Sequence, residues 1–301
     1  MPATLEWFGC ATFRMQLDDM VVMLDAYIDR ADGAAGPEGA SVADIDRCDW
    51  IVVGHAHFDH LFGAERILAA TDARLIASYE SVRVMVDAGV PEDRMIPVAG
   101  GETVALSDDV VVEVFPSLHS CVWSHTQMAQ PHQECLGDLG VTWQEQQERL
   151  QELMAALPAQ LSPAGAEHVL GSMIGHSRRG DGGALVFRFV TPEGTLLYQD
   201  TSGHWSGIID AVPAEVAILA AAGRANVDGQ PVQGSLIDFL VAEVDAIGPD
   251  TTILCHHDDW LPGFSVPTEM APIRDRFATL PTQLLELDYC APTEVLPAPI
   301  R

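Results

Sequence analysis

Four metal-competent side chains fall within six residues at His55-Ala56-His57-Phe58-Asp59-His60, directly after the apolar run Trp50-Ile51-Val52-Val53-Gly54. A short β-branched run that ends in Gly reads as a buried strand. His55 and His57, two apart, then project to the same side where the strand gives out. Asp59 and His60 come at the turn into His60-Leu61-Phe62-Gly63-Ala64-Glu65-Arg66-Ile67-Leu68, a segment with a helix-like apolar pattern, and so face a second ion beside the first. Imidazole and carboxylate suit zinc, and also iron or manganese; two such ions about 3.5–4 Å apart share a bridging hydroxide. Imidazoles clustered without a metal gain nothing that offsets their desolvation, which argues against four ordinary loop residues here.

The rest of the chain has to carry that cluster. Its 301 residues can bury a large core, and they exceed the common domain size enough to suggest one domain with an insertion. No apolar run approaches the roughly 18 residues of a membrane span, and no basic flank and apolar stretch of a secretory signal opens the chain. Cys10, Cys48, Cys121, Cys135, Cys255 and Cys290 are scattered with no C-x-x-C pair, so reduced thiols in a cytoplasm are expected. The formal charge is −29, and all 15 basic residues are Arg. Nucleic-acid affinity rests on basic side chains displacing counterions from phosphates, so a nucleic-acid partner is not expected. A small-molecule substrate is.

Residues 4–9, 11–17 and 20–25 read as a three-strand meander ending at Asp25, a residue placed either to brace the metal loop or simply to turn the chain. A helix near 61–70, a strand near 74–77 and a helix near 79–88 continue as α/β alternation, followed by strands at 95–98, 103–106 and 110–115. Pro116-Ser117-Leu118-His119 follows the last of these, so His119 stands past a strand end as His55 does and is the natural fifth ligand. Residues 120–182 interrupt the alternation with a helical pair. A capping box at Thr142-Glu145 precedes Leu150, Leu153, Met154 and Leu157 at helical spacing before Pro158, and Ser162-Pro163 opens a second helix. Such an insert can cap the site, with Trp123, Trp143 and Met173 available to line a pocket, or build a homo-oligomer contact. Arg178-Arg179 can clamp an anionic substrate or form a solvated turn. Strands follow at 184–189, 195–200 and 216–220, then a helix near 235–247 and a strand at 251–255. Asp200 is placed to bridge two ions, and His256 or its neighbour His257 to supply the last ligand. His125 and His132, inside the insert, are rivals to His119.

These landmarks in order, an Asp closing an early strand (Asp25), H-x-H-x-D-H (His55 to His60), His119, Asp200 and His256, resemble the metallo-β-lactamase superfamily. The resemblance implies an α/β fold, an αββα sandwich of two face-to-face sheets with helices outside, here one domain over 1–301 with a helical insertion at about 120–182. Leu5-Glu6-Trp7-Phe8-Gly9-Cys10-Ala11-Thr12-Phe13 and Val114-Phe115-Pro116-Ser117-Leu118-His119-Ser120 are similar to the branch holding ascorbate-6-phosphate lactonase and the N-acylphosphatidylethanolamine phospholipase D type. Cys10 departs from it, standing where that branch often has His. Carried over residue by residue, His55, His57 and His119 hold one divalent ion, Asp59, His60 and His256 the other, and Asp200 is shared.

A hydroxide between two ions forms near neutral pH because metal binding pulls the pKa of water from 15.7 towards about 7. It attacks a carbonyl or phosphoryl centre, and Asp59 orients its proton and hands it to the leaving group. The expected activity is hydrolysis of a small ester, lactone, amide or phosphoester with two zinc ions, or manganese or iron. The acidic surface tilts the substrate towards neutral molecules. The competing readings are a mononuclear iron dioxygenase of the same fold and a non-catalytic binding protein.

Overall fold

The computed structural model describes residues 2–173 and 180–297. Strands β1 (Ala3–Trp7), β2 (Phe13–Leu17), β3 (Met20–Leu24), β4 (Trp50–Val53), β5 (Arg74–Ser78) and β6 (Met95–Val98) join β17 (Thr293–Leu296) in a seven-stranded sheet. Its order is β17-β1-β2-β3-β4-β5-β6. A second seven-stranded sheet combines β7 (Thr103–Ala105), β8 (Val111–Pro116), β9 (Leu185–Thr191), β10 (Gly194–Gln199), β12 (Val216–Ala220), β15 (Thr251–Cys255) and β16 (Gln283–Leu284). It runs β16-β15-β12-β10-β9-β8-β7. A small third sheet of β11 (Gly203–His204), β13 (Asn226–Val227) and β14 (Gln230–Pro231) lies beyond β10 in the chain.

Alternation along the strands sorts side chains into layers. Val52 and Ile76 face Phe187, Tyr198, Ile218 and Ile253 in the core between the sheets, whereas Ile51, Val53 and Leu75 turn outward. The outward set is covered by helices α2 (Ala64–Ala70) and α3 (Tyr79–Asp87), through Ile67, Leu68, Val84 and Met85. On the other sheet, Leu197, Ala217, Leu219 and Leu254 pack under α7 (Leu236–Ile247) and α8 (Met270–Phe277). Helix α7 starts at a capping box between Ser235 and Asp238 and presents Leu236, Phe239, Leu240, Val244 and Ile247 on one face. Each fully buried Leu or Phe in such layers stabilises the fold by roughly 1.5–3 kcal/mol. This is the expected αββα arrangement.

Strands β3 to β6 run parallel, as do β10, β12 and β15, and β8 shares their direction by being antiparallel to β9. Their C-terminal ends therefore lie along one edge, where ligands collect in α/β sheets. A hydrogen bond from Leu185 N to Gly54 O, 2.9 Å, ties the two sheets together there.

Two local readings are corrected. The helix expected near 61–70 is two: α1 (Phe58–Leu61) and α2, broken at Gly63 with φ 109°. A Cβ at Gly63 would stand 2.4 Å from the Ala26 carbonyl oxygen, so the chain turns there and brings Asp59 and His60 into the short first helix. Helix α4 (Trp143–Gln160) does not stop before Pro158 but continues past it. Proline so near a helix end removes a single backbone hydrogen bond, and Leu161 N to Leu157 O, 3.1 Å, closes the final turn. Helix α5 (Pro163–Ser172) follows. Leu157, Leu161 and Val169 of this pair pack on Tyr27, Trp260 and Leu261, next to the metal loop, and His168 Nε2 lies 2.9 Å from the Tyr27 hydroxyl.

Candidate metal centre

Four of the sequence-derived ligands stand just past strand ends on that shared edge, and His57, Asp59 and His60 follow the first of them in the loop and short helix α1. His55 follows β4 through Gly54, His119 follows β8, Asp200 follows β10 and His256 follows β15. Gly54 is required by proximity, since a Cβ there would lie 2.0 Å from Asp200 Oδ2. The loop of His119 is fixed from the small sheet: Asn226 Nδ2 donates to His119 O at 2.8 Å and Ser120 N to Thr201 Oγ1 at 3.2 Å.

The side chains meet in two groups. Ligand atoms of His55, His57 and His119 lie within 4.8 Å of one another, with His55 Nε2 3.1 Å from His57 Nδ1. In the second group His256 Nε2 is 3.3 Å from both His60 Nε2 and Asp59 Oδ2, and His60 Nε2 is 3.5 Å from Asp59 Oδ2. Tetrahedral bonds of 2.0–2.2 Å put neighbouring ligand atoms about 3.4 Å apart, so this spacing fits a divalent ion at their centre.

Carboxylates hold the rings from behind. Asp25 Oδ2 lies 2.5 Å from His60 Nδ1, and its Oδ1 accepts from Gly54 N at 3.1 Å. Asp25 therefore braces the loop rather than merely turning the chain, and with Nδ1 turned to Asp25, His60 presents Nε2 to Asp59 and His256. Asp200 Oδ2 is 2.7 Å from His55 Nδ1 and 3.3 Å from His60 Nδ1, so it touches one imidazole of each group. The other oxygen, Oδ1, is buried without a hydrogen-bond partner among the described residues. An orphaned buried carboxylate oxygen is costly unless a cation meets it, and here it favours the residues present as a metal site.

The electrostatics divide the groups. Burial, reinforced by neighbouring imidazoles, pushes His55 and His57 well below the usual histidine range and lowers His119, which keeps all three neutral with free lone pairs. Burial alone would raise Asp59, but His60 and His256 hold its carboxyl well below the usual carboxylate range. Burial opposes a charge on His60, yet Asp59, Asp25 and Asp200 around it raise its pKa well above normal. Burial lifts Asp25 to about 6 and also raises Asp200. One group is thus three neutral imidazoles, and the other sets an ionised Asp59 beside a His60 ringed by carboxylates.

Several alternatives fall away from the cluster. His257 stacks on Trp7 with ring centroids 4.7 Å apart, so His256 is the one that reaches Asp59. His125 is exposed and lies 2.7 Å from Asp138, and His132 is exposed near Glu269. Arg178 and Arg179 lie outside the described residues.

A pocket opens over the two groups. His57, Asp59, His119 and His256 form its floor together with Ser120, Thr201 and Ser202; Leu150, Leu153, Met154, Leu157, Val169 and Met173 of the insertion line it, with Phe58, Trp260 and Phe264 beside them. Of the aromatics expected in the insertion, Trp143 is 68% exposed and Trp123 is buried, and neither lines the pocket. The wall comes instead from aliphatic residues at helical spacing and from the loop after His256, whose Trp260 and Phe264 have no sequence pattern to mark them.

Comparison with known proteins agrees with the fold. Residues 5–123 match the family model of the metallo-beta-lactamase superfamily. A UPF0173 metal-dependent hydrolase of Pyrobaculum neutrophilum is 30% identical over 116 residues, 38% of this chain and 50% of that protein. Its counterpart in Pyrobaculum calidifontis is 29% identical over a stretch of the same length. The chain spans about half the length of these curated relatives. Among solved structures, Igni18, a metallo hydrolase of Ignicoccus hospitalis, superposes with a TM-score of 0.62 at 13% identity, covering 97% of this chain and 98% of that one. An isothiocyanate hydrolase from Delia radicum gut bacteria gives 0.59 at 13% identity, covering 98% and 100%. Over its first strands and metal loop the sequence is similar to the metallo-β-lactamase superfamily, and along its length the chain shares the fold of these metallo hydrolases.

Proposed function

We propose that the chain is a hydrolase with two divalent ions, zinc in the first instance, acting on a small uncharged ester, lactone or amide that carries an apolar group. The observation that carries this reading is the pocket itself. Its floor holds both groups of ligand side chains, and its walls are almost wholly aliphatic and aromatic. Among the described residues that line it none is Arg, which supports an uncharged substrate over a phosphoester.

His55, His57 and His119 would hold one ion, and Asp59, His60 and His256 the other, with Asp200 as the shared carboxylate. When bound, the pair would lower the pKa of water and polarise the scissile carbonyl. The protein's own groups do the rest. Asp59 lines the pocket and is kept ionised by His60 and His256, so it can take a proton from water and return it to the leaving group. Thr201 Oγ1 accepts from Ser120 N, which leaves its hydroxyl hydrogen for a substrate oxygen. Leu153, Leu157 and Trp260 exclude water from the apolar part of the substrate and hold it in register.

The test is hydrolysis of esters and lactones of increasing acyl length by the zinc-loaded protein. Each methylene buried is worth about 0.8 kcal/mol, so kcat/KM should rise about fourfold per carbon until the pocket is full. Chelation should abolish turnover and zinc restore it. Preference for phosphodiesters would contradict the substrate class. A single bound iron with oxygen uptake would instead indicate a dioxygenase, and bound metal with no turnover of any class a binding protein.

A further inference from the structure

We propose that Cys10 is a sulfur ligand at the second metal position, beside Asp59, His60 and His256. The inference rests on the binuclear reading above and adds a residue of a different chemical class to it. Cys10 Sγ, the Asp59 carboxylate and a ring nitrogen of His256 lie within 4.8 Å of one another, and Cys10 has no solvent exposure. The thiol makes one long polar contact, donating to Asp59 O at 3.7 Å, so the sulfur lone pairs are uncommitted. Beside this group the fully buried Asp200 Oδ1 has no hydrogen-bond partner among the described residues.

The loop is built to hold the sulfur there. Cys10 sits at φ 47° and His256 at φ 60°, a region that residues with a Cβ rarely adopt. Cys10 N donates to both oxygens of Asp258, at 3.1 and 3.0 Å, and Asp258 is paired in turn with Arg30 at 3.0 Å. Cys10 O accepts from His256 N at 2.7 Å and from Trp7 Nε1 at 3.0 Å. One backbone hydrogen bond therefore couples the two side chains, and each locates the other.

Ligation breaks the S–H bond, forms a sulfur–metal bond and releases one proton to solvent. The second position then carries two anionic side chains, one of them soft, while the first carries three neutral imidazoles. Thiolate favours zinc, iron or cobalt over magnesium or manganese, so the two positions differ in affinity and in metal preference.

X-ray absorption at the zinc edge of the zinc-loaded chain tests this. The expected result is a sulfur shell at about 2.3 Å besides nitrogen and oxygen at about 2.0–2.2 Å. Cys10→Ser should lose the sulfur shell and keep its circular dichroism. The cobalt-loaded wild type should show a thiolate-to-cobalt charge-transfer band in the near ultraviolet, absent from Cys10→His, so the question is answered even if the Ser variant fails to fold. Bound zinc with only nitrogen and oxygen neighbours would overturn the role of Cys10 and leave the binuclear reading standing. A sulfur shell that survives in Cys10→Ser would also overturn it. No bound metal would overturn both.

Discussion

The floor of the pocket and the helices above it are built differently. Beneath the floor, His55, Asp25 and Asp200 have no solvent exposure, and the rings of His55, His60 and His119 are each tied to a carboxylate or a backbone carbonyl. In the helical insertion Leu157 is the only side chain of α4 classed with the core, while Met154 is 50% and Leu170 77% exposed. Strand ends fixed by two sheets suit groups that must be placed to a fraction of an ångström; a loosely packed helical pair suits contacts that need only exclude water. On the proposed reading, the difference teaches that chemistry and substrate choice can be changed separately in this molecule.

Three changes should separate them, in falling order of effect. Asp25→Asn keeps the shape of the side chain but removes the charge behind His60, and metal affinity measured by chelator competition should fall about tenfold to hundredfold. Leu153→Ala touches only the upper wall. It should lower kcat/KM for long acyl substrates by about 1.4 kcal/mol, roughly tenfold, and leave the shortest substrates and metal affinity unchanged. A loss that is equal for all acyl lengths would mean that the insertion serves the chemistry as well. The smallest effect concerns Asp138, which receives Ser124 Oγ at 2.7 Å, His125 N at 3.1 Å and Arg149 Nη1 at 2.8 Å. Burial works against its charge, but these donors depress its pKa from 3.8 to about 2. A depressed carboxylate contributes stability above its unfolded pKa and loses it as pH falls through the folded value. The contribution is therefore full above about pH 4 and gone below about pH 2, and solvent screening keeps it to about 1 kcal/mol. Amide exchange in α4 followed across that window should rise on acidification, and no change would show that Asp138 does not hold the insertion.

The same contrast decides what could be read from residue order. Strand-end residues were legible because one apolar run, one Gly and a tight spacing of ligands leave few arrangements; His55 to His60, His119, Asp200 and His256 were all placed that way. The His256 and His257 choice was not, because it depends on the left-handed backbone of His256, φ 60°, which turns one ring to Asp59 and leaves the other on Trp7. Pairing of β1 with β17, nearly the whole chain apart, has no local signal, nor has the arrival of Cys10 beside Asp59. In the insertion, helical spacing marked Leu150 to Leu157 as a face. What that face covers depends on Tyr27 and Trp260 from distant segments.

Metal content of the chain purified without chelators, compared with a His57→Ala, Asp200→Ala double variant, tests the binuclear centre most directly. Two zinc ions per chain are expected in the native protein, and the variant should lose them while retaining its fold by circular dichroism. Equal metal in both, or none in the native protein, would contradict the account.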